Sequence, residues 1–295
     1  MKGSPPAYRG RFAPSPTGAL HFGSLVTALG SWLRARALGG TWLVRIEDID
    51  PPREVPGAAE DILATLAAFG LESDEPVWFQ SQRQDAYALA FSRLLEAGQA
   101  FPCRCSRSAL AAVRGVHPPS CVGTTGAGAT APAWRVRVAD VVIGFTDLIQ
   151  GPFQQRLARD VGPFVIKRVE GYFAYQLAVV VDDAAQGIGE IVRGADLLDA
   201  TPRQIWLQRL LGYATPGYAH LPLALDASGR KLSKQERACA VDRRDPLPAL
   251  RAALAFLGMD PARGGDGSVT RMLRRAIEDF DLKRIPRTGA AAVGS

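Results

Sequence analysis

The first hundred residues alternate between two hydrophobic rhythms. In GSLVTALGSWLRARAL, Leu25, Leu29, Trp32 and Leu33 recur at helical spacing, and Gly39 and Gly40 end the pattern. TWLVRI is the short continuous apolar run of a buried strand. AAEDILATLAAF reads as a helix stopped by Gly70, VWF as a short strand, and QRQDAYALAFSRLLEA as a helix with Ser81 and Gln84 as a candidate capping box. Strand alternating with helix predicts a parallel sheet covered on both faces, with ligands at the carboxyl ends of its strands.

From residue 101 the rhythm breaks. FPCRCS leads into the Pro/Gly/Ala/Thr-rich HPPSCVGTTGAGATAPA, and WRVRV and VVIGF then alternate as strands do, so residues 101–160 read as an inserted subdomain. The α/β pattern resumes with FVIKR, the apolar AYQLAVVV, the strand-like GEIVRG and the helix TPRQIWLQRLLG, for which Thr201 is the expected N-cap with Pro202 at the first helical position. HLPLAL follows, then the turn DASGR and the loop KLSKQ. The expected organisation is an α/β catalytic-type domain in two halves, 9–100 and 161–240. A short helical region, 241–295, ends in a small-residue tail expected to fray.

Composition narrows the class. The chain has 295 residues, 47% of them hydrophobic, enough to bury a real core. No apolar run reaches the roughly 18 residues of a membrane helix, and the N-terminus lacks a signal-peptide core, so a cytoplasmic location with no membrane partner is expected. A net charge of +6 suits a phosphate-bearing partner without requiring one. Of the basic residues only five are lysines, and two of these, Lys231 and Lys234, fall within KLSK, as fits a mobile reach toward phosphate.

Two constellations carry candidate chemistry. In FAPSPTGALHFGSL a strand-like run is stopped by Pro14 and Pro16, Gly18 permits a turn, and a helix begins after Gly23, which places His21 beside a helix N-terminus. Unpaired N–H groups and the positive dipole end make such a terminus an anion site to which an imidazole can add a hydrogen bond; the plainer alternative is a histidine that caps the turn. The second is Cys103-x-Cys105, then His117-x3-Cys121. Four N/S ligands in two close pairs suit tetrahedral zinc in a closed structural site, and disulfides are the rival in an oxidising compartment. His220 and the pair Asp182 and Asp183 read as structural groups.

RFAPSPTGALHFGS followed by KLSKQ resembles the paired HIGH-like and KMSKS-like signatures of class I aminoacyl-tRNA synthetases. RIEDID, VVVDDAAQGI, EIVRGADLL and TPRQIWLQRLLG are similar to the glutamyl/glutaminyl branch, over about residues 9–240. The resemblance implies a Rossmann-like, doubly wound parallel sheet and an enzyme that activates L-glutamate with ATP and magnesium. Only about sixty residues follow the lysine loop, PPREVPGAAE follows the acidic strand end, and the insert carries Cys/Cys/His/Cys. These features together resemble the truncated bacterial branch that attaches glutamate to queuosine in the anticodon loop of tRNA(Asp), expected here as a monomer with one structural Zn2+.

Carried over residue by residue, the resemblance places glutamate against Arg11, Phe12, Ala13, Pro14, Ser15, Glu47, Tyr175 and Arg193. It places ATP against His21, Gly23, Ser24, Lys231 and Lys234, with His21 and Lys234 catalytic. Arg11 and Arg193 each offer a carboxylate a fork, and Glu47 can take the ammonium. Apart from the resemblance, Arg45 and Asp48 read as a solvated strand end. Two departures stand out: Ser24 occupies the last position of the HIGH-like motif, and Gln235 that of the lysine motif. Three rivals remain: a short synthetase charging the acceptor end of tRNA(Glu), a different nucleotidyl transferase with an HxGH-like turn, which would lack the paired arginines and the Glu47 pocket, and a catalytically silent zinc-containing RNA-binding protein.

Overall fold

The computed structural model describes residues 7–105, 110, 116–118, 131–225, 240–264 and 267–292. Strand β1 (Arg9–Phe12) leads through the proline turn into helix α1 (Phe22–Ala37), followed by β2 (Thr41–Ile46), α2 (Ala58–Ala68), β3 (Trp78–Phe79) and α3 (Gln84–Glu96). β1, β2 and β3 form one parallel group in that order, with Arg9 opposite Thr41 and Arg45 opposite Trp78.

The middle of the chain is antiparallel. β4 (Ala100–Cys103) and β5 (Ala133–Val136) pair antiparallel, β6 (Val142–Asp147) and β7 (Gly151–Arg156) form a hairpin, and β8 (Phe164–Lys167) adds to the free side of β5. The sheet that begins in the expected insert therefore reaches Lys167, past residue 160. α4 (Tyr175–Ala185), β9 (Glu190–Gly194), α5 (Thr201–Leu211) and β10 (Gly217–Leu221) restore the α/β alternation, with β9 and β10 parallel.

β1 joins the two parallel groups. The Gly189 amide, just before β9, donates to the Arg9 carbonyl at 3.0 Å, and both strands run from this bond toward the same cavity. Period-two alternation then sends neighbouring side chains to opposite faces. Trp42, Val44, Val192 and Leu221 pack in the core with α1 and α2, whereas Leu43, Ile191 and Tyr218 pack in a separate cluster with Ile205 of α5. Both faces of the parallel strands are thus covered, as the alternating rhythm predicts.

The last segment closes onto the body. β11 (Leu223–Leu225) precedes α6 (Pro246–Phe256) and α7 (Val269–Asp279), whose buried Leu250, Leu254, Met272 and Leu273 join the α1 core. The tail expected to fray instead forms β12 (Ala290–Ala292), parallel to β11 with Leu223 opposite Ala290. The Leu223 amide donates to the Gly289 carbonyl at 3.1 Å, so the edge of β11 supplies a backbone partner.

Two helix starts differ from expectation. Ser81 caps nothing on α3: its amide and hydroxyl donate to Asp48 at 2.9 and 2.6 Å. Thr201 lies inside α5, whose N-cap is Ala200, because its hydroxyl donates to the Leu197 carbonyl and accepts from Arg193. In both cases a tertiary partner outcompetes the local cap.

Candidate active site

A cavity of 560 Å³ opens at the carboxyl ends of β1 and β9 and the N-terminus of α1. Arg11, Phe12, Ala13, Pro14 and Ser15 line it from β1 and the following turn, His21, Gly23 and Ser24 from the start of α1, Tyr175 from α4 and Arg193 from β9. Ten of the predicted site residues therefore share one space. Glu47 is 6% exposed and is not among the lining residues, although its amide donates to the carbonyl of the lining Pro14 at 2.9 Å. Lys231, Lys234 and Gln235 lie outside the described residues.

His21 takes the capping position, the plainer of its two readings, and it also faces the cavity. It is the N-cap of α1, its Nδ1 accepting from the Ser24 amide at 3.3 Å. With Nδ1 an acceptor, the ring proton of a neutral imidazole sits on Nε2, which lies 3.0 Å from Ser24 Oγ and can donate to it. Ser24, at the departing motif position, thereby orients His21. His21 also bridges Ala240 antiparallel, and the Val241 amide donates to the Leu20 carbonyl at 3.0 Å. The segment carrying the two lysines thus leaves from β11, whose Leu223 and Ala224 line the cavity, and returns beside His21.

Behind the cavity lies a network of three guanidinium and three carboxyl groups. Arg11 gives Nε and Nη2 to Asp183 at 3.0 and 3.2 Å, and it also lines the cavity. Arg45 reaches Asp183 at 2.9 Å and Glu47 at 3.3 Å, and Asp182 accepts from Arg83, Gln80 and Tyr87. Arg45 is fully buried, which corrects its reading as a solvated strand end; the carboxylates of α4 make the burial of its charge tolerable. Asp182 and Asp183 are both buried and ion-paired within this network.

Burial acts unequally on this network. It would raise the Asp183 carboxyl, but Arg11 and Arg45 overcome it and hold the group below its usual range. Glu47, sharing only one side of Arg45, is pushed up to about 7, chiefly by burial and only partly opposed by Arg45 and Arg11. Tyr175 is also raised, by burial first, and stays a hydrogen-bond donor.

Arg193, 3% exposed, is held on several sides. Its Nε donates to His220 Nε2 at 3.0 Å, Nη1 to Gln204 Oε1 at 2.8 Å, and Nη2 to Thr201 Oγ1 at 2.7 Å and the Leu197 carbonyl at 3.4 Å. Four of the five N–H groups of a guanidinium are engaged, so Arg193 offers a carboxylate one bond rather than the expected fork. Sequence reading did not single out Thr17, Thr27, Arg53, Asp196, Leu223 and Ala224, which also line the cavity. Thr27, one helical turn after Gly23, and Leu223, just before the lysine loop, carried a positional signal; Asp196 and Arg53 did not.

A second cluster lies in the antiparallel region. Cys103, Cys105 and His117 place their ligand atoms within 4.8 Å of one another, with Cys103 Sγ 3.1 Å from His117 Nε2. His117 Nδ1 lies 2.9 Å from the Pro118 carbonyl, so it carries the ring proton and Nε2 keeps its lone pair for a metal. The Cys105 amide donates to Cys103 Sγ at 3.4 Å; this bond and Arg135 outweigh burial and lower the Cys103 thiol. Two thiols and an imidazole fit a borderline-soft divalent ion such as zinc. Cys121 lies outside the described residues.

The cavity, its capped helix and the parallel strands define a class. The family described as tRNA synthetases class I (E and Q), catalytic domain, matches residues 7–121 and 131–278. In structure, the chain superposes with a TM-score of 0.81 and 25% identity on a glutamate tRNA ligase from Elizabethkingia meningosepticum in complex with its amino acid, covering 98% of this chain and 67% of that one. In sequence, it is 57% identical over 284 residues to the glutamyl-Q tRNA(Asp) synthetase of Xanthomonas oryzae pv. oryzae, covering 96% of this chain and 94% of the relative. The Burkholderia cenocepacia protein of the same name is 58% identical over 275 residues, covering 90% and 92%. The chain belongs to the class I tRNA synthetases for glutamate and glutamine, within their glutamyl-Q tRNA(Asp) synthetase branch. Like them it is a ligase. No described helix is long and apolar enough to cross a membrane.

Proposed function

We propose that the protein activates L-glutamate with ATP and transfers the glutamyl group to queuosine of tRNA(Asp). In the first step an α-carboxylate oxygen of glutamate attacks the α-phosphorus of ATP. The bond to the bridging oxygen breaks, and pyrophosphate leaves with its electron pair. His21 and the N-terminal amides of α1 would meet the phosphates, Lys234 and Lys231 would neutralise charge developing on them, and Mg2+ accompanies ATP. In the second step the glutamyl group passes to the tRNA and AMP is released.

The amino acid takes the other end of the cavity. Arg11 and, through its remaining N–H, Arg193 meet the two carboxylates; Glu47 receives the ammonium, and Tyr175 and Ser15 donate. The observation that carries this reading is the convergence of the α1 N-terminus, His21 and two buried arginines on one cavity.

Cys103, Cys105 and His117, with Cys121 as fourth ligand, would hold a structural zinc clipping the segment between β4 and β5 together. The doubly wound reading is supported by the order β3, β2, β1, β9, β10, with the cavity where the order reverses. The division 9–100, 101–160, 161–240 and 241–295, a cytoplasmic location and a monomer complete the reading.

The test is transfer of labelled glutamate, with ATP and magnesium, to bacterial tRNA prepared with and without queuosine. Label on tRNA(Asp) only when queuosine is present supports the proposal. Label on tRNA(Glu) regardless of queuosine would replace it with acceptor-end charging.

A further inference from the structure

His220 sits near the end of β10, fully buried, and does not itself line the cavity. Its role follows from which ring nitrogen holds the proton. Arg193 Nε is an obligate donor, so His220 Nε2, 3.0 Å away, must accept and carry a lone pair. The proton is then on Nδ1, which donates to Asp147 Oδ2 at 2.6 Å. Asp147 is itself held: its Oδ1 accepts from the amides of Ile149, Gln150 and His220 at 3.0, 2.8 and 3.1 Å.

The balance of the groups facing His220 favours the neutral ring. Burial first, and then the Arg193 charge, lower its basicity, while Asp147 and Asp196 oppose them without prevailing. Asp147 stays ionised: burial would raise it, but the bonds from His220 and the Gln150 amide pull it below its usual range. Tyr218 stacks on the ring, with centroids 6.2 Å apart, and limits its rotation.

We infer that Asp147 and His220 form a positioning dyad that aims Arg193 at a carboxylate of the amino-acid substrate, with Thr201 and Gln204 fixing the other two guanidinium nitrogens. The inference rests on the proposed role of Arg193 and deepens it. Four bonds leave the guanidinium one direction in which to donate, and the dyad determines that direction. β6 lies outside the parallel strands that line the cavity, yet through Asp147 it acts on the amino-acid site.

The inference is tested with the full chain in glutamate-dependent ATP–pyrophosphate exchange. Arg193→Gln establishes whether Arg193 binds glutamate. Asp147→Asn is nearly isosteric and keeps an oxygen for the three amides, but its amide nitrogen faces His220 Nδ1 and moves the ring proton to Nε2, donor against donor with Arg193. It is expected to raise KM for glutamate about tenfold while leaving KM for ATP nearly unchanged. His220→Leu should do the same and His220→Gln, which restores an acceptor, should recover most of the loss. Histidine 15N shifts should report the tautomer exchange in Asp147→Asn, with only three histidines to assign.

If Arg193→Gln raises KM for glutamate while Asp147→Asn and His220→Leu change only the melting temperature, or raise both KM values equally, the dyad is structural and the inference falls alone. An unchanged KM for glutamate in Arg193→Gln would overturn the glutamate-site reading and the inference with it.

Discussion

Glu47 and Arg45 are neighbours on one strand with opposite fates. Glu47, raised from 4.5 to about 7 by burial, binds its proton more tightly in the folded state than in the unfolded one. Its contribution to stability is therefore present below about pH 4.5 and is lost as pH rises through about 7. An ammonium bound beside it favours the ionised form, so binding releases a proton when the solution is below that pKa. KM for glutamate should rise by up to roughly tenfold per pH unit below the Glu47 pKa. Glu47→Gln should flatten this acid limb and raise KM throughout, and an unchanged slope would remove Glu47 from ammonium binding. Arg45 is the opposite case, since truncating it strands buried carboxylates. Arg45→Ala should lower unfolding free energy by about 3–5 kcal/mol in denaturant titration. Its solvated reading failed because RIEDID shows Glu47 but not Asp183, the nearer partner, which lies more than a hundred residues away on α4.

Among the elements, α1 has the most depends on it. One end carries His21 and the cavity-side N-terminus; its middle packs on β10 through Gly30, where an added Cβ would stand 2.8 Å from Leu221 Cδ1. Glycine inside a helix normally costs stability, so close approach to the strand explains it. Gly30→Ala should destabilise by about 1–3 kcal/mol in thermal or denaturant unfolding, the range for overpacking a filled core. Leu221 adjoins His220 and Pro222, so the same variant should also raise KM for glutamate. Helices and buried strands were legible because periodicity survives without knowledge of partners. Caps and the final strand were not: Ser81, Thr201 and Ala290–Ala292 take their positions from Asp48, Arg193 and β11, all distant in sequence. The cavity's first residues were legible because β1, the turn and α1 are contiguous; Asp196 and Arg53 needed the chain to fold back.

For the whole molecule, the parallel strands and the cysteine region behave as different stability problems. The former bury a large core, whereas the segment between β4 and β5 has few large apolar residues, only Leu110, Val113, Val116 and Val122, and would lean on a metal clip. Purified protein should carry about one zinc per chain by elemental analysis. Cys103→Ser or chelation should lower the melting temperature and expose this segment to protease while leaving pyrophosphate exchange largely intact. Protein without zinc and with unaltered stability in Cys103→Ser would end the metal reading.

β12 places residues 290–292 one strand from the cavity, because it zips onto the strand whose Leu223 and Ala224 border it. A fluorophore attached beside Ala290 would sit one strand from bound ligand and serve as an optical reporter of occupancy. An affinity tag fused after Ser295 would pull on the same strand, so purification handles belong at the other end of the chain.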